Sequence, residues 1–218
     1  MEILEPFLGL RIYKNAMPNP KDIPKRLEEL LSVNPTEIFK WNDVAVSFRK
    51  KDHSVRNCVD HKVNKLSFKL MSEDKKDLEI VWQETKDAIV VCLNEYMEQF
   101  VNTPPLNYME SINFIKYEPG AYFKSHVDHG PSYSSVVSCV VYFNDDFEGG
   151  ELSFPYFDNY TYKPEAGDIL FFPSNIMYLH EAKSVISGTK YSAVTMFDFN
   201  DINHRLQTGD RTPAVKNY

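Results

Sequence analysis

The C-terminal half of the sequence consists largely of short apolar segments separated by turn residues, and this pattern restricts the fold more than any other feature. The segments are rich in Val, Ile, Phe and Tyr, and they comprise residues 111–117, 135–143, 151–154, 168–172 and 190–199. Pro-Gly, Asn-Asp, Gly-Gly, Ala-Gly and Ser-Gly pairs lie between them, as expected for strands joined by tight turns. Many short strands that follow a helical region predict an antiparallel double-sheet barrel with helices packed outside it.

A long helix is predicted over residues 72–100, before the strand region. Ser72 can cap its N-terminus, and Glu73 and Asp74 place negative charge in the first turn, where it complements the helix dipole. Apolar residues then recur at helical spacing and predict one buried face. This face comprises Leu78, Val81, Trp82, Ala88, Ile89, Cys92, Leu93 and Tyr96. We expect the helix to support a sheet.

The N-terminal region predicts one or two short extended pieces over residues 3–17, followed by a second helix. Asp22 can cap this helix, and Pro24 suits its first turn because the missing N–H group costs little there. The apolar stripe of the helix comprises Leu27, Leu30 and Leu31.

The region between the two helices has a weaker pattern. Residues 44–48 predict a strand, and the polar residues 49–65 predict a surface loop. His53 and His61 suit a solvated loop, and a loop that covers the substrate site fits the same composition.

Composition and charge indicate a single domain of intracellular type. The length of 218 residues suits one domain with a substantial core. The formal net charge of −7 argues against a general nucleic-acid binder, which needs a basic surface. The three cysteines are far apart and predict reduced thiols. No apolar run approaches the roughly 20 residues that span a bilayer, so we expect a soluble cytoplasmic protein without a membrane partner.

Residues 117–128 end in a pair of potential metal ligands, His126 and Asp128. Residues i and i+2 of an extended strand point to the same side, so both side chains can reach a single ion. His180, further along the chain, is a third candidate. Taken singly, each histidine suits a buried core position better than a metal site. Two histidines and one carboxylate that leave coordination positions open describe the facial triad of non-haem Fe(II) oxygenases.

Further motifs follow this triad in a fixed order. Residues 144–155 contain paired glycines that suit a tight reversal between strands. Residues 164–174 form a turn that leads into an apolar strand, and residues 187–192 place Lys190 at the head of another.

Taken together, these motifs strongly resemble those of the Fe(II)/2-oxoglutarate-dependent dioxygenases. In order they are Tyr-x-Pro-Gly-x-Tyr-x-x-x-His-x-Asp, Phe-x-Gly-Gly-Glu-Leu-x-Phe-Pro, Gly-Asp-x-x-x-Phe-Pro, His-Glu and Gly-x-Lys-Tyr-Ser. Within this superfamily they look most like the prolyl 4-hydroxylase branch, and the resemblance covers residues 111–199 in detail.

The resemblance implies a role for each matching residue. It makes His126, Asp128 and His180 the Fe(II) ligands and pairs Lys190 with the distal carboxylate of 2-oxoglutarate. It assigns to Tyr117 a hydrogen bond to the same carboxylate. Tyr122 either lines the substrate side of the iron or fills the barrel. His129 is expected to be a loop residue that points away from the metal.

The resemblance also implies a reaction and its cofactors. An enzyme of this class binds Fe(II), takes 2-oxoglutarate and O2 as cosubstrates, and in some cases uses ascorbate as a reductant. It hydroxylates an unactivated C–H bond with release of succinate and CO2. The implied substrate is a prolyl residue of a peptide or protein. The chain carries Ser135 and Met196 where collagen-type and plant-type prolyl hydroxylases have an arginine and a tryptophan, which leaves a free amino acid, a small metabolite or another side chain as alternatives.

The expected fold is α+β and mainly β, namely a double-stranded β-helix (jelly-roll) barrel with N-terminal supporting helices. One domain is expected over residues 1–206, with helical support over about 1–105 and the jelly-roll core over about 106–200, and residues 207–218 form a polar tail. Two other classes remain open. One is a non-catalytic jelly-roll binding module, in which the triad or Lys190 would have decayed. The other is a zinc hydrolase built on the same triad, which does not account for Lys190.

Overall fold

The computed structural model describes residues 1–44, 52–63, 65–69, 71–130 and 134–200. Within these ranges the chain is mainly β. The strands are β1 (Ile3–Phe7), β2 (Leu10–Tyr13), β3 (Asn42–Asp43), β4 (Val59–Val63), β5 (Tyr108–Met109), β6 (Ile112–Tyr117), β7 (Phe123–His126), β8 (Val137–Tyr142), β9 (Glu148–Gly149), β10 (Leu152–Phe154), β11 (Tyr160–Tyr162), β12 (Ile169–Pro173), β13 (His180–Ala182), β14 (Val185–Ser187) and β15 (Lys190–Asp198). The α-helices are α1 (Ile23–Glu28), α2 (Lys65–Lys69) and α3 (Lys76–Glu98).

The strands form two main antiparallel sheets. The larger sheet has nine strands in the order β1-β2-β12-β8-β15-β6-β4-β3, with β5 paired to β15. The smaller sheet has the order β11-β10-β13-β7, and β14 and β9 form a separate two-stranded ribbon. The prediction of a mainly β protein with antiparallel sheets and few helices is therefore confirmed. Strands β6, β8, β10, β12 and β15 lie where the sequence predicts the apolar segments.

The two faces of the larger sheet bury different clusters, because side chains along a strand alternate between faces. Phe114, Phe171 and Phe197 lie on one face and pack in a cluster with α3 and with the apolar stripe that begins at Leu27 in α1 and continues into the π-helical turn after it. Val140 and Leu170 lie on the other face, where they pack against Leu152, Phe154 and Tyr162 of the smaller sheet. The space between the two sheets is thus separate from the core beneath α3.

The predicted buried face of the long helix is confirmed, because all of its residues are buried. The two predicted caps are wrong. Asp22 ends a 3₁₀ turn that runs directly into α1 and already has helical backbone angles, so its side chain makes no capping hydrogen bond. Ser72 precedes a 3₁₀ turn, and its hydroxyl donates to the Asp74 carboxylate instead of accepting from the backbone.

The prediction of a polar surface loop over residues 49–65 is wrong for β4. This strand pairs with β6, and His61 is buried against Phe39. Its buried positions include Asp60 and His61, which conceal the apolar alternation of an ordinary strand. Residues 45–48 of the predicted strand 44–48, the end of the expected domain at 206 and the expected tail 207–218 lie outside the described residues.

Candidate metal centre

His126 and His180 lie on the smaller sheet and are direct neighbours across it. His126 ends β7, His180 begins β13, and the two residues are paired in register. Directly paired residues of antiparallel strands project to the same face of a sheet. The two imidazole rings consequently lie with their centroids 4.3 Å apart.

Asp128 completes the cluster from the loop that follows β7. Its Oδ1 atom lies 3.6 Å from Nε2 of His126, and its Oδ2 atom lies 3.6 Å from Nε2 of His180. One ligand atom from each residue lies within 4.8 Å of the other two. The side chains of Asp128 and His180 are each 7% exposed and that of His126 is 21% exposed, so the cluster opens to solvent beside His126.

The hydrogen bonds of the histidines direct their free nitrogens towards the cluster. Nδ1 of His126 lies 2.8 Å from the carbonyl oxygen of Lys124, and Nδ1 of His180 lies 3.0 Å from that of Tyr178. A carbonyl oxygen only accepts, so each Nδ1 carries the proton and each Nε2 keeps a lone pair. Burial, together with nearby His180, lowers the pKa of His126 to about 3, which keeps this imidazole neutral. Neutral imidazoles oriented in this way fit a divalent metal ion such as Fe(II).

Aromatic rings surround the histidines. The Phe123 ring stacks on His126 with a centroid distance of 3.5 Å and an interplanar angle of 15°. The guanidinium carbon of Arg56 lies 4.8 Å from the centroid of the same Phe123 ring. On the other side, Phe172 meets His180 edge-on at 4.8 Å. These rings fix the orientation of the imidazoles.

Lys190 lies in the space between the sheets and is paired directly with Tyr117 across β15 and β6. Only 1% of Lys190 is exposed. Its Nζ atom donates to the carbonyl oxygen of Gly150 at 2.7 Å and lies 4.1 Å from the centroid of the Tyr117 ring. Burial lowers the pKa of Lys190 to about 7. Within the described ranges, no carboxylate lies within 4.0 Å of this ammonium group, and the site therefore suits an anion.

The paired glycines of residues 144–155 allow the backbone to approach Lys190. Gly150 has a φ of +66°, and a Cβ atom added there would lie 3.2 Å from Cδ of Lys190. A side chain at this position would therefore be strained and would crowd the lysine.

Tyr122 contacts the segment before β4 instead of the lysine. Its hydroxyl donates to the carbonyl oxygen of His53 at 3.1 Å, and its amide donates to Oδ1 of Asn57 at 2.7 Å. The amide of Lys124 donates to the carbonyl oxygen of Val55 at 2.9 Å. These bonds hold residues 52–57 along β7, the edge strand of the smaller sheet. This segment covers the strand that carries His126.

The remaining residues singled out in the sequence lie at the far end of β8 and β15. His129 is exposed, and its Nδ1 atom donates to the carbonyl oxygen of Ser135 at 2.9 Å. The Ser135 hydroxyl is buried without a hydrogen-bond partner among the described residues. Met196 is half-buried.

Sequence analysis did not identify Arg56, Ser138 or Ser174. Arg56 is buried beside the Phe123 ring, and the Ser138 hydroxyl donates to Oδ2 of Asp128 at 2.6 Å. Ser138 carried a signal, since it is the one serine or threonine in a strand whose residues are all buried. A buried hydroxyl requires a partner.

Among the described residues, no helix is both long and apolar enough to cross a membrane.

A family model described as the 2OG-Fe(II) oxygenase superfamily matches residues 112–198, which run from the start of β6 to the end of β15. Prolyl 4-hydroxylase 13 of Arabidopsis thaliana is 33% identical over 118 residues, which cover 41% of this chain and 43% of that protein. A PKHD-type hydroxylase of Rippkaea orientalis is 28% identical over 121 residues, which cover 52% of this chain and 53% of that protein. The chain thus spans about half the length of the curated relatives it matches.

Solved structures are similar in fold. A prolyl hydroxylase from Trichoplax adhaerens, in complex with a peptide fragment of the oxygen degradation domain of hypoxia inducible factor, superposes with a TM-score of 0.67 at 14% identity. That match covers 92% of this chain and 87% of the other. The viral collagen prolyl hydroxylase of Paramecium bursaria Chlorella virus-1, in its 2OG complex, gives a TM-score of 0.60 at 18% identity, with 87% and 95% covered.

Proposed function

We propose that the chain is a member of the 2OG-Fe(II) oxygenase superfamily, whose model matches residues 112–198, and that it is a dioxygenase that hydroxylates an unactivated C–H bond. Members of the superfamily use Fe(II), 2-oxoglutarate and O2. In the proposed reaction, 2-oxoglutarate and O2 yield succinate, CO2 and one hydroxyl group on the target carbon. The observation that carries the proposal is the convergence of His126, Asp128 and His180, together with the buried Lys190, which has no carboxylate partner among the described residues.

Each residue of the site has a task in this reaction. His126, Asp128 and His180 hold the iron on one side, and the bound iron supplies the oxidation. Lys190 binds the distal carboxylate of 2-oxoglutarate, and the Tyr117 ring forms a wall beside it. We also propose that the Tyr117 hydroxyl donates a hydrogen bond to this carboxylate. Burial raises the pKa of its phenol, so the hydroxyl remains protonated and able to donate.

Charge balance supports this assignment. A doubly charged cation beside Asp128 leaves one positive charge, and Lys190 adds a second. The dianion 2-oxoglutarate neutralises both. A buried cation without a counter-ion is costly, so a ligand that removes the imbalance is favoured over one that does not.

We further propose that the two sheets are the walls of a double-stranded β-helix, with its core over about residues 106–200 and helical support over about residues 1–105. The prolyl hydroxylase structures that superpose on the chain support this arrangement.

The proposed substrate is a prolyl residue of a peptide or protein. Its support is the likeness to prolyl 4-hydroxylase 13 and to the Trichoplax prolyl hydroxylase in complex with a peptide. Ser135 and Met196 favour a second candidate, a free amino acid or small metabolite. These side chains replace the arginine and the tryptophan of the collagen-type and plant-type enzymes.

Anaerobic titration of the Fe(II)-loaded protein with 2-oxoglutarate tests the metal site and the cosubstrate together. The wild type is expected to develop a weak visible charge-transfer band. Asp128→Ala is expected to lose the band, whereas Asp87→Ala, which removes an exposed carboxylate on α3, keeps it. A wild-type protein that binds neither Fe(II) nor 2-oxoglutarate would favour the binding module, and metal-dependent hydrolysis without 2-oxoglutarate would favour a zinc hydrolase.

Substrate class is tested by incubating the enzyme with proline-containing peptides or with free amino acids. Mass spectrometry detects the gain of one oxygen atom, and succinate is assayed in parallel. Oxygen gain on peptidyl proline that is stoichiometric with succinate supports the first candidate, and gain on free amino acids alone supports the second.

A further inference from the structure

Asp128 has a further contact, a hydrogen bond to one of its two carboxylate oxygens. The Ser138 hydroxyl donates to Oδ2 of Asp128 at 2.6 Å. The Ser138 and Ser174 hydroxyl oxygens lie 2.8 Å apart. Both serines are completely buried. A hydroxyl has one proton, and Ser138 gives its proton to the carboxylate, so Ser174 donates to Ser138.

The backbone around Ser174 ties the same chain of hydrogen bonds to the metal-binding loop. The Ser174 carbonyl oxygen accepts from the amide of His129, the residue after Asp128, at 2.9 Å. The Ser174 amide donates to the carbonyl oxygen of Val136 at 3.0 Å. Ser174 is therefore bonded on one side to the loop that carries Asp128 and on the other to the chain that leads into β8.

The contacts of the two carboxylate oxygens differ. Oδ2 accepts the Ser138 hydrogen bond, whereas Oδ1 accepts none from the part of the chain that the structure describes. Each oxygen lies 3.6 Å from one imidazole, Oδ1 from Nε2 of His126 and Oδ2 from Nε2 of His180, so the hydrogen bond from Ser138 is what distinguishes them. A hydrogen bond to one oxygen fixes the plane of the carboxylate and leaves the other oxygen as the stronger free donor towards an ion.

We propose that Ser138, supported by Ser174, is a positioning residue that holds Oδ2 of Asp128 so that the carboxylate presents Oδ1 to the metal. The inference rests on the proposed function. Hydrogen bonds to ligating carboxylates orient them, and their loss typically costs about 10- to 100-fold in metal affinity or activity. A carboxylate released from Ser138 can also turn both oxygens towards the ion and occupy a position that 2-oxoglutarate needs.

The test measures Mn(II) binding to the full chain by the electron paramagnetic resonance signal of free Mn(II), a redox-inert substitute for Fe(II). Ser138→Ala is expected to weaken Mn(II) binding by about 10- to 100-fold. Ser138→Cys keeps the side-chain volume but is a poor donor, so it is expected to show a similar loss even if the alanine variant folds poorly. Ser138→Thr keeps the hydroxyl and is expected to restore most of the affinity. Ser174→Ala is expected to lie between Ser138→Ala and the wild type.

Ser153→Ala is the matched control. Ser153 is a buried serine of the smaller sheet, and its hydroxyl contacts that of Thr161, a neutral group. The Ser153→Ala variant is expected to leave Mn(II) affinity unchanged. A second measurement, 2-oxoglutarate affinity at saturating Mn(II), is expected to fall in Ser138→Ala but not in Ser153→Ala, which a merely structural role for Ser138 would not produce.

The outcomes separate this inference from the proposed function. Wild-type protein that fails to bind Mn(II) overturns both. Wild-type binding with unchanged affinity in Ser138→Ala and Ser138→Cys overturns only the role of Ser138. An equal loss in Ser153→Ala also overturns it, because the loss would then reflect any removed hydroxyl.

Discussion

Two lysines are almost completely buried on opposite faces of the larger sheet, and they differ in what surrounds the ammonium group. Lys75 is 0% exposed, just before α3, and its Nζ atom donates to the carbonyl oxygens of Leu30 and Asn34. Lys190 is 1% exposed, between the sheets, and donates to the carbonyl oxygen of Gly150. Among the described residues, the first lysine has two carbonyl acceptors and the Asp74 carboxylate at 3.9 Å, whereas the second has one carbonyl acceptor and an aromatic ring.

The acceptors of Lys75 explain its position. Leu30 and Asn34 lie within and just after the π-helical turn Glu29–Val33, where carbonyl groups lack partners within the helix. An ammonium group there donates hydrogen bonds to the carbonyl groups at the end of one helical segment. It thereby joins that segment to the start of α3. Lys190 does nothing comparable for the fold. Burial alone therefore does not mark a lysine as a candidate for ligand binding, whereas burial with few acceptors among the described residues does.

Substitution of each lysine by methionine, which keeps the volume and removes the charge, tests this distinction directly. Lys190→Met is expected to weaken 2-oxoglutarate binding by about 2–5 kcal/mol, the usual cost of removing one partner of a buried charge pair. This corresponds to roughly 30-fold to several thousand-fold in Kd. Isothermal titration calorimetry of the Mn(II)-loaded protein measures it. The free energy of unfolding of the ligand-free protein is expected to be unchanged or raised, because a desolvated charge is removed.

Lys75→Met is expected to have the opposite profile. It leaves the carbonyl groups of Leu30 and Asn34 without their donor, and buried unsatisfied groups cost about 1–3 kcal/mol in the free energy of unfolding. Urea denaturation measures this loss, and 2-oxoglutarate affinity at a temperature where the variant is folded should match that of the wild type. The distinction between the two lysines is contradicted if Lys75→Met weakens 2-oxoglutarate binding. It is also contradicted if Lys190→Met destabilises the protein more than Lys75→Met does.

The pH dependence of binding sharpens the comparison further. The pKa of Lys190 is about 7 in the ligand-free protein, and a bound carboxylate raises it because an opposite charge favours the ammonium form. Below about pH 7 the lysine is charged in both states, so 2-oxoglutarate affinity is constant. Above it the free lysine is neutral, and binding must take up a proton. Affinity is then expected to fall by up to about tenfold, or about 1.4 kcal/mol, per pH unit.

Lys190→Arg is the control for this pH dependence, since a guanidinium remains protonated throughout the range. Calorimetry in buffers of different ionisation enthalpy counts the proton taken up by the wild type above pH 7. An affinity that is flat with pH in the wild type would show that Lys190 is already charged in the ligand-free protein.

The parts of the fold that could be predicted from the sequence are those whose signal is local. Strands β8, β12 and β15 are long enough, and apolar enough, to be recognised from their own residues. Strands β7 and β13 are not. His180–Ala182 has three residues and no apolar alternation, and its conformation depends on pairing with β10 and β7. β4 was missed because polar side chains occupy its buried positions.

The residues of the candidate site show the same division between those with a signal in the sequence and those that only the fold brings together. His126, Asp128, His180 and Lys190 are predicted from a series of motifs that surrounds them, and no single residue would suffice. Ser138 and Arg56 are not predicted, because their contacts arise only when separate segments pack together. Asp128 lies on the loop after β7, and the Phe123 ring is reached only when residues 52–57 fold along β7. Partnerships of this kind depend on tertiary structure, and spacing along the chain does not encode them.

Arg56 is a third buried cation, intermediate between the two lysines, and it gives the smallest expected effect. Its guanidinium lies on the Phe123 ring, Nε donates to Sγ of Cys58 at 3.2 Å, and one terminal nitrogen lies 3.5 Å from the Asp60 carboxylate. Because the same Phe123 ring stacks on His126, removing this cation should loosen the proposed metal ligand without removing it. A desolvated cation–π contact contributes about 2 kcal/mol, and because the ring itself stays on His126, we expect only part of this in metal binding, about two- to fivefold in Kd.

Truncation of Arg56 alone would leave Asp60 as an uncompensated buried charge and obscure the result. The informative pair is therefore Asp60→Asn and the double variant Asp60→Asn with Arg56→Met, since the amide needs no counter-ion. Mn(II) affinity should be about two- to fivefold weaker in the double variant than in Asp60→Asn, by this part of the contact energy. Equal affinities would place Arg56 with Lys75, as a cation that serves the fold. If instead the double variant lost as much 2-oxoglutarate affinity as Lys190→Met does, Arg56 would be a cation that binds the cosubstrate, like Lys190.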